Sequence, residues 1–206
     1  AYGLGLLTSV FAAFATIRVL TDRELHRRWV MLAGAGAGLA FYLHPMFIAG
    51  ALPMMLVPCW VHRREIRGWW IPVVGSAIFV NIPLLFWNVR HSWPSLSQPA
   101  PATESSVTRL GRFFSGLLPR AFGLRNPSGE WIWGSVSIVL YVVLLALIVW
   151  GVIGLTRLGP RGLTLALPTV LCWPILSLFS NMGFIDDGRY AIVGFPFLVI
   201  ALVVGV

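Results

Sequence analysis

One long apolar stretch decides the fold class, because it is too long for a single ordinary helix across a membrane. Residues Trp29–Trp60 read WVMLAGAGAGLAFYLHPMFIAGALPMMLVPCW. A spanning helix needs about 20 apolar residues at 1.5 Å per residue. The stretch is interrupted at Leu43-His44-Pro45, and proline does not continue a helix. The pattern predicts either two short helices that turn at His44-Pro45 or one long tilted helix.

Arginine clusters on both sides of this stretch favour the two-helix interpretation, since short arginine-rich loops stay on the cytoplasmic side. The clusters are Arg23, Arg27 and Arg28 before the stretch, and Arg63, Arg64 and Arg67 after it. If both are cytoplasmic, the chain crosses an even number of times between them, as a hairpin. Each arm of about 15 residues is roughly 22 Å long, shorter than a hydrocarbon core of about 30 Å. We therefore expect the His44-Pro45 turn to lie below the outer membrane surface and to line a cavity.

Alternating glycines in the first arm predict close helix packing. Gly34 and Gly38 have small-xxx-small spacing, which lets two helix backbones approach closely. A nucleotide-binding loop is excluded here, because no strand precedes the glycines and no phosphate-binding lysine follows them.

The composition independently predicts a membrane protein. The 206 residues are 58% hydrophobic and 11% charged, whereas soluble domains carry roughly twice that charged fraction. All 15 basic residues are arginine, and the formal net charge is +8. Because the arginines lie in short clusters between apolar runs, the lipid bilayer is an expected partner and nucleic acid is not. Cys59 and Cys172 lie inside apolar stretches without metal or redox spacing, so we expect packing roles for them, with no metal and no cofactor.

Five further apolar runs approach spanning length, and with the hairpin they give seven membrane segments. They are Leu4–Leu20, Trp70–Trp87, Ile132–Leu155, Leu163–Ser180 and Tyr190–Val206. A third cluster, Arg157 and Arg161, falls on the side expected to be cytoplasmic. The sequence predicts an all-α, polytopic transmembrane helical bundle that forms one domain over residues 1–206 in the plasma (inner) membrane. Both ends fall inside apolar runs, so we expect the chain to be cut from a longer protein.

The expected outer loop, residues 88–131, departs from the charge rule. It carries Arg90, Arg109, Arg112, Arg120 and Arg125, although loops of this length normally follow the rule. An anionic ligand or lipid headgroups would give these arginines a reason to remain outside. Within the loop, Gln98–Ser106 is rich in Pro, Ala and Ser and is interpreted as flexible.

Polar side chains near membrane depth occur first at the turn and at the outer end of the fourth helix. His44 at a submerged turn requires a partner or water, and it either donates to a phosphate or caps a helix end. Asn88, Arg90 and His91 follow the run that contains Trp87. They either contact a sugar or a phosphate, or cap the helix and meet lipid headgroups.

A third polar segment precedes the last apolar run. Arg189 and Tyr190 follow Asp186 and Asp187. An arginine at the outer mouth of a helix can bind a phosphate through two hydrogen bonds, with the acids tuning it. The alternative is that Arg189 and Tyr190 anchor the helix at the interface and that one of the aspartates caps it.

Four stretches occur in an order that resembles one enzyme family. They are Trp29–Ala40 (WVMLAGAGAGLA), His44-Pro45, Ile82–Ser95 (IPLLFWNVRHSWPS), and Asp187–Tyr190 (DGRY) followed by Pro196. They resemble, in turn, the Trp-x3-aGxxxGLa pattern, the turn, the Pro-x3-Trp-Asn…His-x-Trp-x-Ser exit and the Arg-Tyr-x5-Pro segment of bacterial GT-C glycosyltransferases of the dolichyl-phosphate-mannose–protein mannosyltransferase type. The resemblance covers most of the chain and is weakest in residues 97–131.

The resemblance implies a GT-C-like bundle with a transferase activity. Such enzymes move a sugar from a polyprenyl-phosphate carrier to a protein, lipid or glycan acceptor on the extracytoplasmic side. The residues expected to bind the carrier phosphate and substrate are Arg189, Tyr190, His44, Asn88 and His91. Arg189 would pair with the phosphate and Tyr190 would orient it. The family's acidic general base lies in the first outer loop, which would precede Ala1, so this chain alone is expected to be inactive; Asp186 and Asp187 do not match that position.

A polytopic transporter or lipid flippase is the alternative, and a structural membrane subunit is a third. Discontinuous helices mark substrate sites in transporters, as the break at His44 would. A proton-driven transporter is expected to hold a carboxylate within a span, and the apolar runs contain none. An upstream outer loop with an Asp-Glu or Asp-Asp pair would favour the transferase, whereas an upstream inverted repeat would favour the transporter.

Overall fold

A computed structural model describes residues 2–22, 27–93, 105–179 and 193–205 of the protein. These ranges are helical, without a β-strand, which confirms the all-α prediction. The helices are α1 (Tyr2–Thr21), α2 (Arg27–Leu43), α3 (Ile48–Val61), α4 (Ile66–Arg90), α5 (Ser106–Arg112), α6 (Leu118–Ala121), α7 (Ser135–Arg157), α8 (Pro160–Phe179) and α9 (Phe195–Gly205).

Three helical segments are long and apolar enough to cross a membrane, which indicates a membrane protein. They are Gly3–Thr21, Arg67–Arg90 and Ser135–Arg157. Two shorter apolar helices are Pro45–Val61 and Phe195–Val204. Over the described residues, α2 and α8 do not meet the same standard of length and apolarity. These helix lengths therefore indicate a membrane protein, but they do not establish the predicted number of seven spans.

The chain breaks at His44, so the prediction of one long helix over Trp29–Trp60 is wrong. Helix α2 ends at Leu43, a 3-10 turn covers Pro45–Phe47, and α3 begins at Ile48. His44 has extended backbone angles, with φ of −164° and ψ of 125°. The ring of a proline disfavours helical angles in the residue before it, and this explains the position of the break.

The contacts of α2 with α4 show that the two arms form a hairpin. A Cβ atom added at Gly34 would overlap the carbonyl oxygen of Val73, and one at Gly38 would lie 2.8 Å from the Cα atom of Ala77. Because the later residue of α2 meets the later residue of α4, the two helices run parallel. Helix α3, which connects them in the chain, must therefore run in the opposite direction. The predicted close packing at Gly34 and Gly38 is confirmed. Gly36 faces the other way, where its Cβ would lie 3.1 Å from that of Ala12 in α1.

The remaining helices also alternate in direction. Gly151 and Gly154 of α7 lie against Ala201 and Val204 of α9, so these helices run parallel. Helix α8 runs opposite to α3, because Cys172 packs with Phe47 and Ala49 whereas Leu165 packs near Met54. One end of the bundle therefore collects the described basic residues of three helix junctions, and we name it the arginine end. Its residues are Arg18, Arg27, Arg28, Arg63, Arg64, Arg67, Arg157 and Arg161. The opposite end contains His44 and His91 and is named the histidine end.

Two predicted helix starts were too early. The run Ile132–Leu155 corresponds to α7, which begins at Ser135 because Gly134 has a φ of 55° and breaks the helix before it. The run Tyr190–Val206 corresponds to α9, which begins at Phe195 after a turn at Gly194. Pro196 lies in the first turn of α9, where a missing N–H costs no helical hydrogen bond.

Candidate functional site

His44 caps the turn that follows it. Its Nδ1 atom accepts the N–H of Met46 at 3.4 Å, while its backbone N–H continues α2 by donating to the carbonyl of Ala40 at 3.1 Å. Because Nδ1 is the acceptor, a neutral ring carries its proton on Nε2. His44 therefore caps a helix start rather than the end of α2, and the neutral ring presents a donor at Nε2.

Asn88 and His91 build the C-terminal end of α4, at the histidine end of the bundle. The Asn88 amide is almost fully buried and donates to the Leu84 carbonyl at 2.9 Å. The exposed His91 ring lies with Nδ1 at 2.7 Å from the carbonyl oxygen of Trp87 and stacks on the Trp87 ring at 4.8 Å. Both side chains thus contact carbonyl groups at the end of their own helix, as the capping alternative expects. Their binding to a sugar or a phosphate stays a prediction.

The chain leaves the helix in a turn immediately after His91. Ser92 and Trp93 both have a φ of 59°, in the left-handed region that non-glycine residues rarely adopt. The Asn88 carbonyl accepts the N–H groups of His91 and Trp93 at 3.2 and 2.8 Å. These hydrogen bonds close the helix end and hold the strained pair in place.

The His44 turn is recessed relative to the end of α4. Gly34 lies beside Val73 and Gly38 beside Ala77, so the end of α2 at Leu43 is level with residue 82. Helix α4 continues to Arg90, about eight residues or roughly 12 Å farther. His44 thus lies deeper than Asn88 and His91 at the same end of the bundle.

Part of the expected outer loop is helical, which the sequence reasoning missed. Helix α5, a π-helical turn (Phe113–Leu117) and α6 follow one another directly. Phe113 and Leu117 are buried in a cluster with Trp173 of α8 and Tyr141 of α7, and the Phe113 and Trp173 rings stack at 4.8 Å. The predicted flexible stretch Gln98–Ser106 is wrong at its end, because Ser105 caps α5 by accepting the N–H of Thr108. Residues 98–104 lie outside the described part of the chain.

A proline explains the irregular turn. Pro119 has no N–H, so it can satisfy neither the carbonyl of Phe114, five residues before it, nor that of Ser115, four residues before it. The Tyr141 hydroxyl donates to the Phe114 carbonyl at 2.6 Å, and the Arg125 guanidinium donates to the Ser115 carbonyl. Two side chains therefore replace the missing backbone donor and attach this segment to α7 and to the following loop.

We expect Tyr141→Phe to destabilise the protein by about 1 kcal/mol, because a buried carbonyl loses its donor. Thermal unfolding in detergent micelles measures this change. In a Pro119→Ala background, residue 119 regains an N–H, so the same Tyr141→Phe substitution should cost clearly less. An equal cost in both backgrounds would show that Tyr141 stabilises the turn by packing alone.

Several arginines of the expected outer loop have local partners, which gives a structural reason for their position. Arg125 also donates to the Gly129 carbonyl and lies 5.5 Å from the Trp131 ring centre. Arg120 donates to the Pro127 carbonyl at 3.3 Å, and the Arg90 guanidinium lies 4.3 Å from the Phe86 ring centre. Neither an anionic ligand nor lipid headgroups are thus needed to account for the position of these three arginines.

Arg109 also has local partners in this loop, and the sequence reasoning did not select it as a site residue. It lies on α5, is buried, and donates to the Ser106 hydroxyl at 3.2 Å. Buried guanidinium groups are rare unless they are paired. The signal in the sequence is a capping Ser105 followed by apolar residues at helical spacing.

The predicted site residues divide into two groups. His44, Asn88 and His91 lie at the histidine end. Arg189 and Tyr190, together with the aspartates at 186 and 187, lie outside the described residues. Among the described residues no group of three or more His, Cys, Asp or Glu side chains could hold a metal ion.

No protein-family model, curated protein or solved structure matches the chain.

Proposed function

We propose that the chain is the membrane region of a glycosyltransferase that takes a sugar from a polyprenyl-phosphate carrier. The acceptor would be a protein, lipid or glycan on the extracytoplasmic side of the plasma membrane. In this proposal the bundle crosses the membrane seven times, with the arginine end in the cytoplasm. The resemblance of the four sequence stretches to GT-C glycosyltransferases is the starting point.

The observation that carries the proposal is the recessed turn at the histidine end. A break in a helix within a bilayer requires surrounding protein or water, and α3 beyond the break has fully buried Pro53, Met54 and Pro58. In this proposal His44 lies at membrane depth, below the tip of α4, and precedes a helix that is buried on one face and exposed on the other at Leu52 and Leu56. A lipid-linked phosphate has to enter from the bilayer, so a donor group below the outer end is well placed to meet it.

Residue roles follow from the chemistry of the leaving group. Transfer breaks the bond between the sugar and the carrier phosphate, and the phosphate gains charge as it departs. Arg189 would pair with that phosphate through its planar guanidinium, which stabilises developing charge in a desolvated site. Tyr190 would orient it, and the Nε2–H of His44 would donate to it.

The test is sugar transfer by membranes that contain the full-length protein, with a panel of radiolabelled polyprenyl-phosphate sugars. Transfer above that of membranes without the protein, from one donor of the panel, is the expected result. Absence of transfer from every donor, with the protein present at normal levels, contradicts the proposal.

His44→Asn should separate substrate binding from turn formation. Asparagine is a good capping residue and can still accept the Met46 N–H, but it lacks the distant Nε2 donor. We expect the KM for the lipid donor to rise about tenfold with little change in Tm, because one hydrogen bond to a charged group is lost. His44→Ala should also lower Tm by about 2–4 °C through loss of the cap. A wild-type KM for His44→Asn would limit His44 to shaping the turn.

A transporter or lipid flippase is the second candidate, and the break at His44 favours it equally. The helices of the described ranges carry no carboxylate between their ends, which disfavours proton coupling. Uptake or flipping of a fluorescent lipid-phosphate sugar in proteoliposomes, without transfer to any acceptor, would support this candidate.

A further inference from the structure

Two guanidinium groups converge on one indole ring at the arginine end. Arg18, in the last turn of α1, has its guanidinium carbon 5.4 Å from the ring centre of Trp29. Arg28, in the first turn of α2, lies 5.6 Å from the same centre. The two cations are thus no more than about 11 Å apart. Phe14 holds the ring from α1 by an edge contact at 5.7 Å.

The arginine end carries more described arginines than carboxylates, since only Asp22 and Glu65 among the described acidic residues lie there. The first turn of α2 contains no acidic residue, although the positive end of a helix dipole favours one there. Arg27 and Arg28 occupy that turn instead, which adds unfavourable charge. An external anion would relieve both the mutual repulsion of the cations and the helix dipole.

We propose that Arg18, Arg28 and Trp29 form a binding site for the headgroup of an anionic phospholipid. Guanidinium groups bind phosphate oxygens through paired hydrogen bonds. Trp29 is half-buried and lies at the end of a helix pair, the position at which indole rings meet lipid headgroups. The neighbouring segment Gly3–Thr21 is long and apolar enough to cross the bilayer, so its arginine end lies where the headgroups are.

The site differs from the other arginine clusters at this end of the bundle. Arg63 and Arg64 are exposed on the 3-10 turn before α4, and neither has a recorded aromatic ring beneath it in the described residues. They contribute to the surface potential that attracts anionic lipids in general. The Arg18–Trp29–Arg28 group adds fixed geometry, since the ring orders both side chains before a lipid binds.

The test uses the full chain in nanodiscs with increasing mole fractions of phosphatidylglycerol in phosphatidylcholine, and Tm is the readout. We expect the wild type to gain thermal stability with phosphatidylglycerol. For Arg18→Gln/Arg28→Gln, the mole fraction that gives half of this gain should rise about tenfold, because two charge-assisted contacts are lost. The matched control Arg63→Gln/Arg64→Gln removes the same charge from the same end and should change it about twofold.

Three other results would overturn the lipid site. Equal changes in both double variants would overturn the site and leave only a general surface potential. Equal stabilisation of the wild type in phosphatidylcholine by inorganic phosphate would identify a free-anion site and overturn the lipid assignment. If the double variant is poorly folded, Arg18→Lys/Arg28→Lys keeps the charge but loses the paired hydrogen bonds. A lipid dependence like that of the wild type in this variant would also overturn the site.

Discussion

Arg189→Ala in the full-length protein should reduce sugar transfer by about 100-fold or more while the protein still folds. Truncating one partner of a desolvated, hydrogen-bonded charge pair costs about 2–5 kcal/mol, and each 1.4 kcal/mol is a factor of about ten in rate. Arg189 pairs with the carrier phosphate in the proposed function, and the phosphate gains charge in the transition state. The loss should therefore appear mainly in kcat/KM. The measurement is transfer from the radiolabelled lipid donor by membranes with matched protein levels.

Two further variants make this prediction specific. Arg189→Lys keeps the charge but loses the planar fork, so an intermediate loss of about tenfold is expected. Arg161→Ala removes an exposed arginine at the opposite end of the bundle and should leave transfer unchanged. Normal transfer by a well-expressed Arg189→Ala protein would return Arg189 to the role of an interfacial anchor.

The parts of the fold that could be predicted follow from local backbone rules. Pro45 fixes the angles of the residue before it, so the break at His44 could be located from the sequence alone. The direction of the second arm followed from the arginine clusters, which constrain how often the chain crosses. The glycine spacing of α2 likewise predicted a close neighbour at Gly34 and Gly38, although the sequence did not identify that neighbour as α4.

The parts that could not be predicted depend on contacts between distant residues. Tyr141 and Phe114 are 27 positions apart, and nothing near either residue indicates that they meet. The helices α5 and α6 were missed because the residues buried in this segment pack against the distant helices α7 and α8. Such contacts leave no pattern in the local sequence. At the end of α4, polarity alone could not decide between capping and binding for Asn88, whose hydrogen bond to Leu84 is visible only in the structure.

Gly34→Ala should destabilise the protein by about 2–3 kcal/mol and lower Tm by ~4–10 °C. The added methyl group would overlap the carbonyl oxygen of Val73 and the hydroxyl of Ser76. The carbonyl belongs to the backbone of α4 and cannot rotate away, so the two helices must separate. Separation would also lengthen the hydrogen bond of 2.9 Å that Asn81 of α4 donates to the Gly38 carbonyl of α2. Thermal unfolding of the purified protein in a single detergent measures the effect.

Gly75→Ala is the matched control, because it makes the same substitution in the interior of α4. A Cβ atom at Gly75 meets nothing within 4 Å, and alanine is the better helix former by about 1 kcal/mol. The two variants should therefore change Tm in opposite directions, with Gly75→Ala unchanged or more stable. Equal Tm values for Gly34→Ala and the wild type would mean that α2 and α4 can separate without cost. In that case the parallel arrangement of these helices, and with it the recessed position of His44, would not be maintained by the glycines.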